Sequence, residues 1–321
     1  MLKSIVVLDG YAFNPGDLSW APFQKLTEEF FLYPRTEDSH ILERIGNSPC
    51  ILTNKTPITR ETILASPNLQ YIGILATGTD KVDLEASRSQ GITVTNVPAY
   101  STLSVAQFTI GLLLEITSRI GHHSHEVHKG RWKTVPDFCF WDYPLIELAG
   151  KTLGIIGYGA IGRTVGGIAT ALGMKVLAFN GDRPPRANET APLVNFTELL
   201  TASDIISLHA PLKPETLGII NKASISGMKD GVIILNTARG GLIVEKDLAE
   251  ALKSGKVYAA GLDVLEKEPA DDDNPLLSLP NCLITPHIAW VPLEARKRLM
   301  NEAAENLRLF LLGTPRNRVN L

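Results

Sequence analysis

A chain of 321 residues, 44% apolar and 20% charged, is long enough for two ordinary domains and too apolar to stay disordered. Its net charge of −3 is small and no basic stripe runs along it, which excludes the electrostatic grip that nucleic acid requires. Three scattered cysteines, Cys50, Cys139 and Cys282, exclude a disulfide framework and a C-x-x-C centre, and the short apolar run at 5–8 is no signal peptide or membrane span, so a cytoplasmic protein without a membrane partner is expected.

In chain order, apolar runs rich in β-branched residues at 5–8, 50–52, 71–75 and 92–94 predict strands. Helical stretches at 60–66 and 84–90 fall between them. Val105, Phe108, Leu112, Leu113, Ile116 and Ile120 keep helical spacing and predict one long connecting helix over 103–120. The aromatic, Pro-containing stretch 132–144 reads either as a loop packed on its own domain or as an arm for a partner subunit. A stronger alternation starts at Lys151, with strands at 153–156, 175–179, 205–208, 232–235, 258–262 and 283–285. A last helix spans 293–312, with Leu299, Ala303, Leu307 and Leu311 as its stripe and Gly313 as its stop. Two βα series predict an α/β protein with two doubly wound parallel sheets.

Gly157-Tyr158-Gly159-Ala160-Ile161-Gly162 is a G-x-G-x-x-G sequence placed after a strand and opening a helix whose inner face is expected to carry Ile161, Val165, Ile168 and Leu172. Such glycines let backbone approach a pyrophosphate, and the helix N-terminus offers unpaired N–H groups to it. At the end of the next strand, where an acid marks NAD, stands Asn180. Asn180 can bond a ribose 2′-hydroxyl without repelling a 2′-phosphate; Asp182 would repel that phosphate, and Arg183 and Arg186 would attract it. The expectation is NAD(H) preferred, with NADP(H) also used.

Arg239, Glu268 and His287 each follow an apolar strand of the second series, where open α/β sheets place ligands. Singly, each is an ordinary strand-end polar residue. Together they match the needs of a 2-keto acid: a planar cation for its carboxylate, a proton donor near neutrality for its ketone oxygen, and a carboxylate to orient that donor.

At these residues the chain resembles the D-isomer-specific 2-hydroxyacid dehydrogenase family over essentially its whole length. The resemblance is carried by residues 154–162, by 208–212 with Thr216, by 236–240, by 262–264 with Glu268-Pro269, and by 286–290. It implies a flavodoxin-like substrate domain (1–101 plus 287–321), a Rossmann-type cofactor domain (102–286), and an active site in the cleft between them. It further implies that Arg239 binds the carboxylate and polarises the ketone, that His287 donates the proton, and that Glu268 pairs with His287. Asp263 would meet the nicotinamide carboxamide. Thr237 and Ala238 would line the cofactor site, with His209, Ala210 and Pro211 nearby, and the backbone of Thr77-Gly78 would meet the substrate carboxylate. Within the family, residues 137–150 and 287–296 look most like glycerate dehydrogenase, also called hydroxypyruvate reductase. The expected reaction is hydroxypyruvate to D-glycerate, in a homodimer. Another D-2-hydroxyacid specificity, such as D-lactate, and an NADH-sensing corepressor-like protein remain the alternatives.

His122, His123, His125 and His128 cluster after the connecting helix at spacings that put two or three on one face and invite a metal, but no acid or cysteine completes a tetrahedral set, so a solvated helix end is expected. Asp271-Asp272-Asp273 lacks the alternating ligands and glycine of a calcium loop and reads as a solvated turn.

Overall fold

The structure is a computed structural model and describes residues 1–181 and 190–321. Two units divide the chain: Met1–Ser101 with Trp290–Leu321, and Thr102–Ala289.

In the first unit the described residues form β1 (Leu2–Val7), β2 (Thr27–Leu32), β3 (Cys50–Thr53), β4 (Tyr71–Ile74) and β5 (Thr93–Thr95). All pair in parallel, in the order β2-β1-β3-β4-β5, which is the flavodoxin-like order. Both faces of the sheet are covered. Ile5 and Val7 of β1 enter one core while Val6 and Leu8 enter the other, as the two-residue period of a strand requires. The last helix, Leu293–Leu311, sends Ala295, Leu299, Met300, Ala303, Ala304 and Leu307 into the core that contains Ile5, so residues far apart in the chain build one hydrophobic face. Strand β2 has no counterpart among the sequence-based elements. It is an edge strand, TEEFFL, mostly exposed, and its paired glutamates break the alternation that marks a half-buried strand.

The second unit holds β6 (Thr152–Ile156), β7 (Lys175–Phe179), β8 (Ile205–Leu208), β9 (Val232–Asn236), β10 (Val257–Leu262) and β11 (Cys282–Ile284), again all parallel, in the order β11-β10-β9-β8-β6-β7. Beyond β7, Leu193 makes a single parallel bridge to Ala178. That stub takes the place of a third strand, so the order follows the dinucleotide-binding fold and reverses between β6 and β8.

Two expectations need correction here. The connecting helix stops at Ser118: Arg119 adopts the left-handed conformation, φ 49°, and a second helix, Ile120–His128, leaves at an angle of 59° with Ile120 63% exposed. In the glycine-turn helix, Ala160–Ala171, Val165 is buried and Ile161 and Ile168 pack against the same core, but Leu172 lies past the helix end and is 37% exposed; Gly162 and Gly166 let the helix lie close against Ile155 of β6. The second unit closes with Ile288 and Ala289, which donate their N–H groups to Asp263 of the same unit. Among the described residues no single helix is long and apolar enough to cross a membrane.

Candidate active site

Gly157 ends β6 at φ 95°, a conformation open to glycine, and a Cβ there would lie 2.4 Å from the Ala210 nitrogen and 2.6 Å from the His209 carbonyl carbon. Backbone from β6 and β8 therefore meets at the point where the strand order reverses. A Cβ on Gly162 would sit 2.4 Å from the Gly157 oxygen, so the helix also needs glycine to reach the turn. Gly159 differs: it is exposed, caps the helix Ala160–Ala171, and has no atom within 4 Å of where its Cβ would stand. Ala160 and Ile161 form the first turn behind it. The result is an open cradle at a helix N-terminus.

Two buried polar atoms flank this cradle with no hydrogen-bond partner among the described residues. Asn180 Oδ1 accepts from the Tyr158 N–H at 3.1 Å, and because that N–H can only donate, the amide nitrogen must lie on the other side, where Nδ2 is one of the two unpartnered atoms. The other is His209 Nδ1; His209 Nε2 lies 2.8 Å from Ser207 Oγ. Burial pushes the His209 imidazole down to about 4, so it is neutral at physiological pH. Glycine cradle, helix N-terminus and flanking polar atoms fit a dinucleotide. Ala210 is buried beside Gly157. Thr216 closes the next loop by bonding the Pro211 carbonyl at 2.7 Å, and Thr237 Oγ1 lies 2.8 Å from Thr109 Oγ1 of the helix Thr102–Ser118. Asp182, Arg183 and Arg186 lie outside the described residues.

Asn236, Leu262 and Ile284 are partners in one row across β9, β10 and β11, which puts the chain after each strand on the same sheet edge. After β9, Asn236 folds the turn, its Oδ1 accepting from the Ala238 N–H and its Nδ2 donating to the Arg239 carbonyl. Half-buried Arg239 also donates from its guanidinium to the Ala238 carbonyl, 2.7 Å. Gly240 follows because a Cβ there would be 1.9 Å from the Leu265 carbonyl carbon. The Arg239 turn is thus pressed onto the segment that leads to Glu268.

Glu268 Oε1 accepts from the Leu265 N–H, and its Oε2 lies 2.6 Å from His287 Nδ1. His287 has φ 55°, a strained value for a side-chain-bearing residue. Asp263 holds the turn in that shape. Only 1% exposed, its carboxylate accepts from Thr285 Oγ1 at 2.7 Å and from the N–H groups of Ile288 and Ala289, each at 2.8 Å. Burial raises the Asp263 pKa, and those hydrogen bonds act in the opposite direction. Sequence reasoning did not anticipate this anchoring role; an acid directly after a buried strand was the only signal.

Arg239, Glu268 and His287 therefore belong to one connected constellation in the second unit. A carboxylate-held imidazole can give or take a proton at its other nitrogen, and a guanidinium can bind a carboxylate. Thr77 and Gly78 lie in the first unit, in the loop after β4, which Thr77 Oγ1 and Asn96 Nδ2 fix by hydrogen bonds of 2.7 Å to the Val97 and Thr77 carbonyls.

The family model described as D-isomer specific 2-hydroxyacid dehydrogenase, NAD binding domain, matches residues 110–289. A hydroxypyruvate reductase of Blautia hydrogenotrophica is 55% identical over 98% of this chain and 99% of its own length. A glycerate dehydrogenase of Methylorubrum extorquens is 42% identical over 86% of this chain and 87% of its own. Among solved structures, an acyclic imino acid reductase in complex with NADPH and D-Arg superposes with a TM-score of 0.87 at 31% identity, covering 98% of this chain and 99% of that one. This chain belongs to the D-isomer specific 2-hydroxyacid dehydrogenase family.

Proposed function

We propose that this chain reduces a small 2-keto acid to the D-2-hydroxy acid, hydroxypyruvate to D-glycerate foremost and glyoxylate to glycolate beside it. The observation that carries the reading is the 2.6 Å contact of His287 Nδ1 with Glu268 on the edge that also holds Arg239. The 55% identity to a hydroxypyruvate reductase supports the substrate.

A bound reduced nicotinamide supplies hydride to the keto carbon. Arg239 grips the substrate carboxylate with its planar fork and polarises the ketone. As negative charge gathers on the ketone oxygen, protonated His287 gives up its Nε2 proton, since Nδ1–H is engaged with Glu268. Glu268 fixes the ring through the contact at Nδ1. In the reverse direction neutral His287 accepts the proton at Nε2. Thr77 and Gly78, in the loop after β4, are the first unit's own candidates for binding substrate through their N–H groups. Residues of the second unit around Gly157, Gly159, Ala160, Ile161, Gly162, Asn180, His209, Ala210, Pro211, Thr216, Thr237, Ala238 and Asp263 hold the cofactor. NADH is the preferred donor, and NADPH is a usable one because the neutral Asn180 amide does not repel a 2′-phosphate.

The protein works as a homodimer in the cytoplasm. Phe138 and Trp141, 88% and 67% exposed, support the arm reading of residues 132–144. Free Cys50, Cys139 and Cys282 suit a reducing compartment.

The test follows loss of reduced nicotinamide absorbance with hydroxypyruvate, glyoxylate and pyruvate, each with NADH and NADPH. Hydroxypyruvate with NADH should give the highest kcat/KM. Pyruvate as the best substrate would replace this specificity with D-lactate formation. Tight NADH binding without turnover of any 2-keto acid would make the chain a sensor. Sedimentation at micromolar concentration should show a dimer, and a monomer would remove the arm.

A further inference from the structure

We propose that His122, His123 and Asp142 form a site for a divalent transition-metal ion, of the zinc or nickel class, which ties the helix Ile120–His128 to the aromatic segment after it. One ligand atom from each of the three lies within 4.8 Å of the others. The sequence hides this set because the acid stands well beyond the histidine cluster; folding brings it back.

The hydrogen bonds already prepare the ligands. His123 Nδ1 lies 2.8 Å from the Arg119 carbonyl, which can only accept, so Nδ1 carries the proton and Nε2 keeps its lone pair. A ring nitrogen donating to a backbone carbonyl is the usual outer support of a metal-binding histidine. That Nε2 meets the Asp142 N–H at a long 3.4 Å, and His122 Nε2 lies 2.7 Å from Asp142 Oδ2. Two imidazoles and a carboxylate suit zinc, nickel or copper better than magnesium or calcium.

Aromatic packing fixes the segment without the ion. The Arg119 guanidinium sits 4.9 Å over the Tyr143 ring and that of Arg131 sits 4.5 Å over Phe140. The His122 ring meets Tyr143 at 5.0 Å and the His123 ring meets Phe140 at 6.0 Å.

Arg131 is the competitor, forked onto both Asp142 oxygens at 2.5 and 2.6 Å. The same guanidinium is 3.9 Å from Glu126 Oε2, and Glu126 also bonds Lys129. An ion on Oδ2 leaves Oδ1 for Arg131 and shifts its other nitrogen toward Glu126, so no charge is left unpaired. When the ion takes the His122 Nε2 lone pair, the neutral ring carries its proton at Nδ1 instead, and Asp142 Oδ2 exchanges that N–H for the ion.

The test is calorimetric titration of zinc chloride and nickel chloride into tag-free, chelator-treated full-length protein. Saturable binding of one ion per chain is expected. His123→Gln and Asp142→Asn should each weaken binding at least about tenfold, while His125→Gln and His128→Gln leave it unchanged. Because Asp142→Asn also breaks the Arg131 fork, His123→Gln carries the test if Asp142→Asn unfolds. Absence of saturable binding would overturn the proposal, as would binding that depends on His125 or His128, or calcium bound as tightly as zinc.

Discussion

An imidazole passes a proton efficiently only when its ring is held in one orientation, and at His287 three groups do the holding. Glu268 takes Nδ1, Asp263 binds the backbone on the C-terminal side, and Thr285 anchors the turn from the N-terminal side. His287→Ala should lower kcat by roughly 10²–10⁴-fold with hydroxypyruvate, and steady-state kinetics on folded protein checks it. Glu268→Gln replaces the charged acceptor at His287 Nδ1 with a neutral amide that holds the ring less firmly, so kcat with hydroxypyruvate should fall, and the same kinetics reads it. Asp263→Ala acts differently. It leaves three donors without their acceptor, of which the buried Ala289 N–H costs about 1–3 kcal/mol, and frees a strained turn, so both the denaturation midpoint and kcat should fall, whereas Asp263→Asn, keeping one acceptor oxygen, should fall less. The sequence points to Arg239, Glu268 and His287 because each residue type has a distinct chemical task at a strand end, and the fold brings Glu268 against His287. The anchoring by Asp263 could not be read from sequence, because its partners are mostly backbone N–H groups, which carry no residue signature.

At the scale of elements, the glycines of the turn after β6 separate folding from binding. Gly157→Ala forces a Cβ against the Ala210 backbone at a positive φ, so it should lower stability and abolish dinucleotide binding together. Gly159→Ala meets no neighbour and should leave stability within about 0.5 kcal/mol, yet weaken NADH binding by filling the open cradle. Fluorescence titration with NADH alongside thermal melts distinguishes the two variants. The turn was legible because glycine spacing and strand–helix context both mark it. The long helix was less so: apolar periodicity runs unbroken through Ile120, and the break at Arg119 depends on a backbone conformation that periodicity does not encode. Strand β2 was missed for the opposite reason, since an exposed edge needs no apolar alternation.

For the whole molecule, His209 makes stability depend on pH. Its imidazole is pushed from an ordinary 6.5 down to about 4 by burial, so the unfolded chain takes up a proton at a pH where the folded chain does not. Stability should therefore hold above about 6.5 and decline as pH falls toward 4, where the folded form begins to bind the proton too. Denaturant midpoints across that window should fall less steeply in His209→Gln than in the parent.

The core around Ile5, Cys50 and Tyr71 is finished by Leu299, Ala303 and Leu307 from the last helix. On the ribosome, the first hundred or so residues thus emerge long before the helix that shields one side of their sheet. The middle of the chain, Thr102–Ala289, has all its own strands before that helix is translated. The N-terminal portion must wait through that interval with apolar side chains uncovered, a window in which chaperones or premature association act on it.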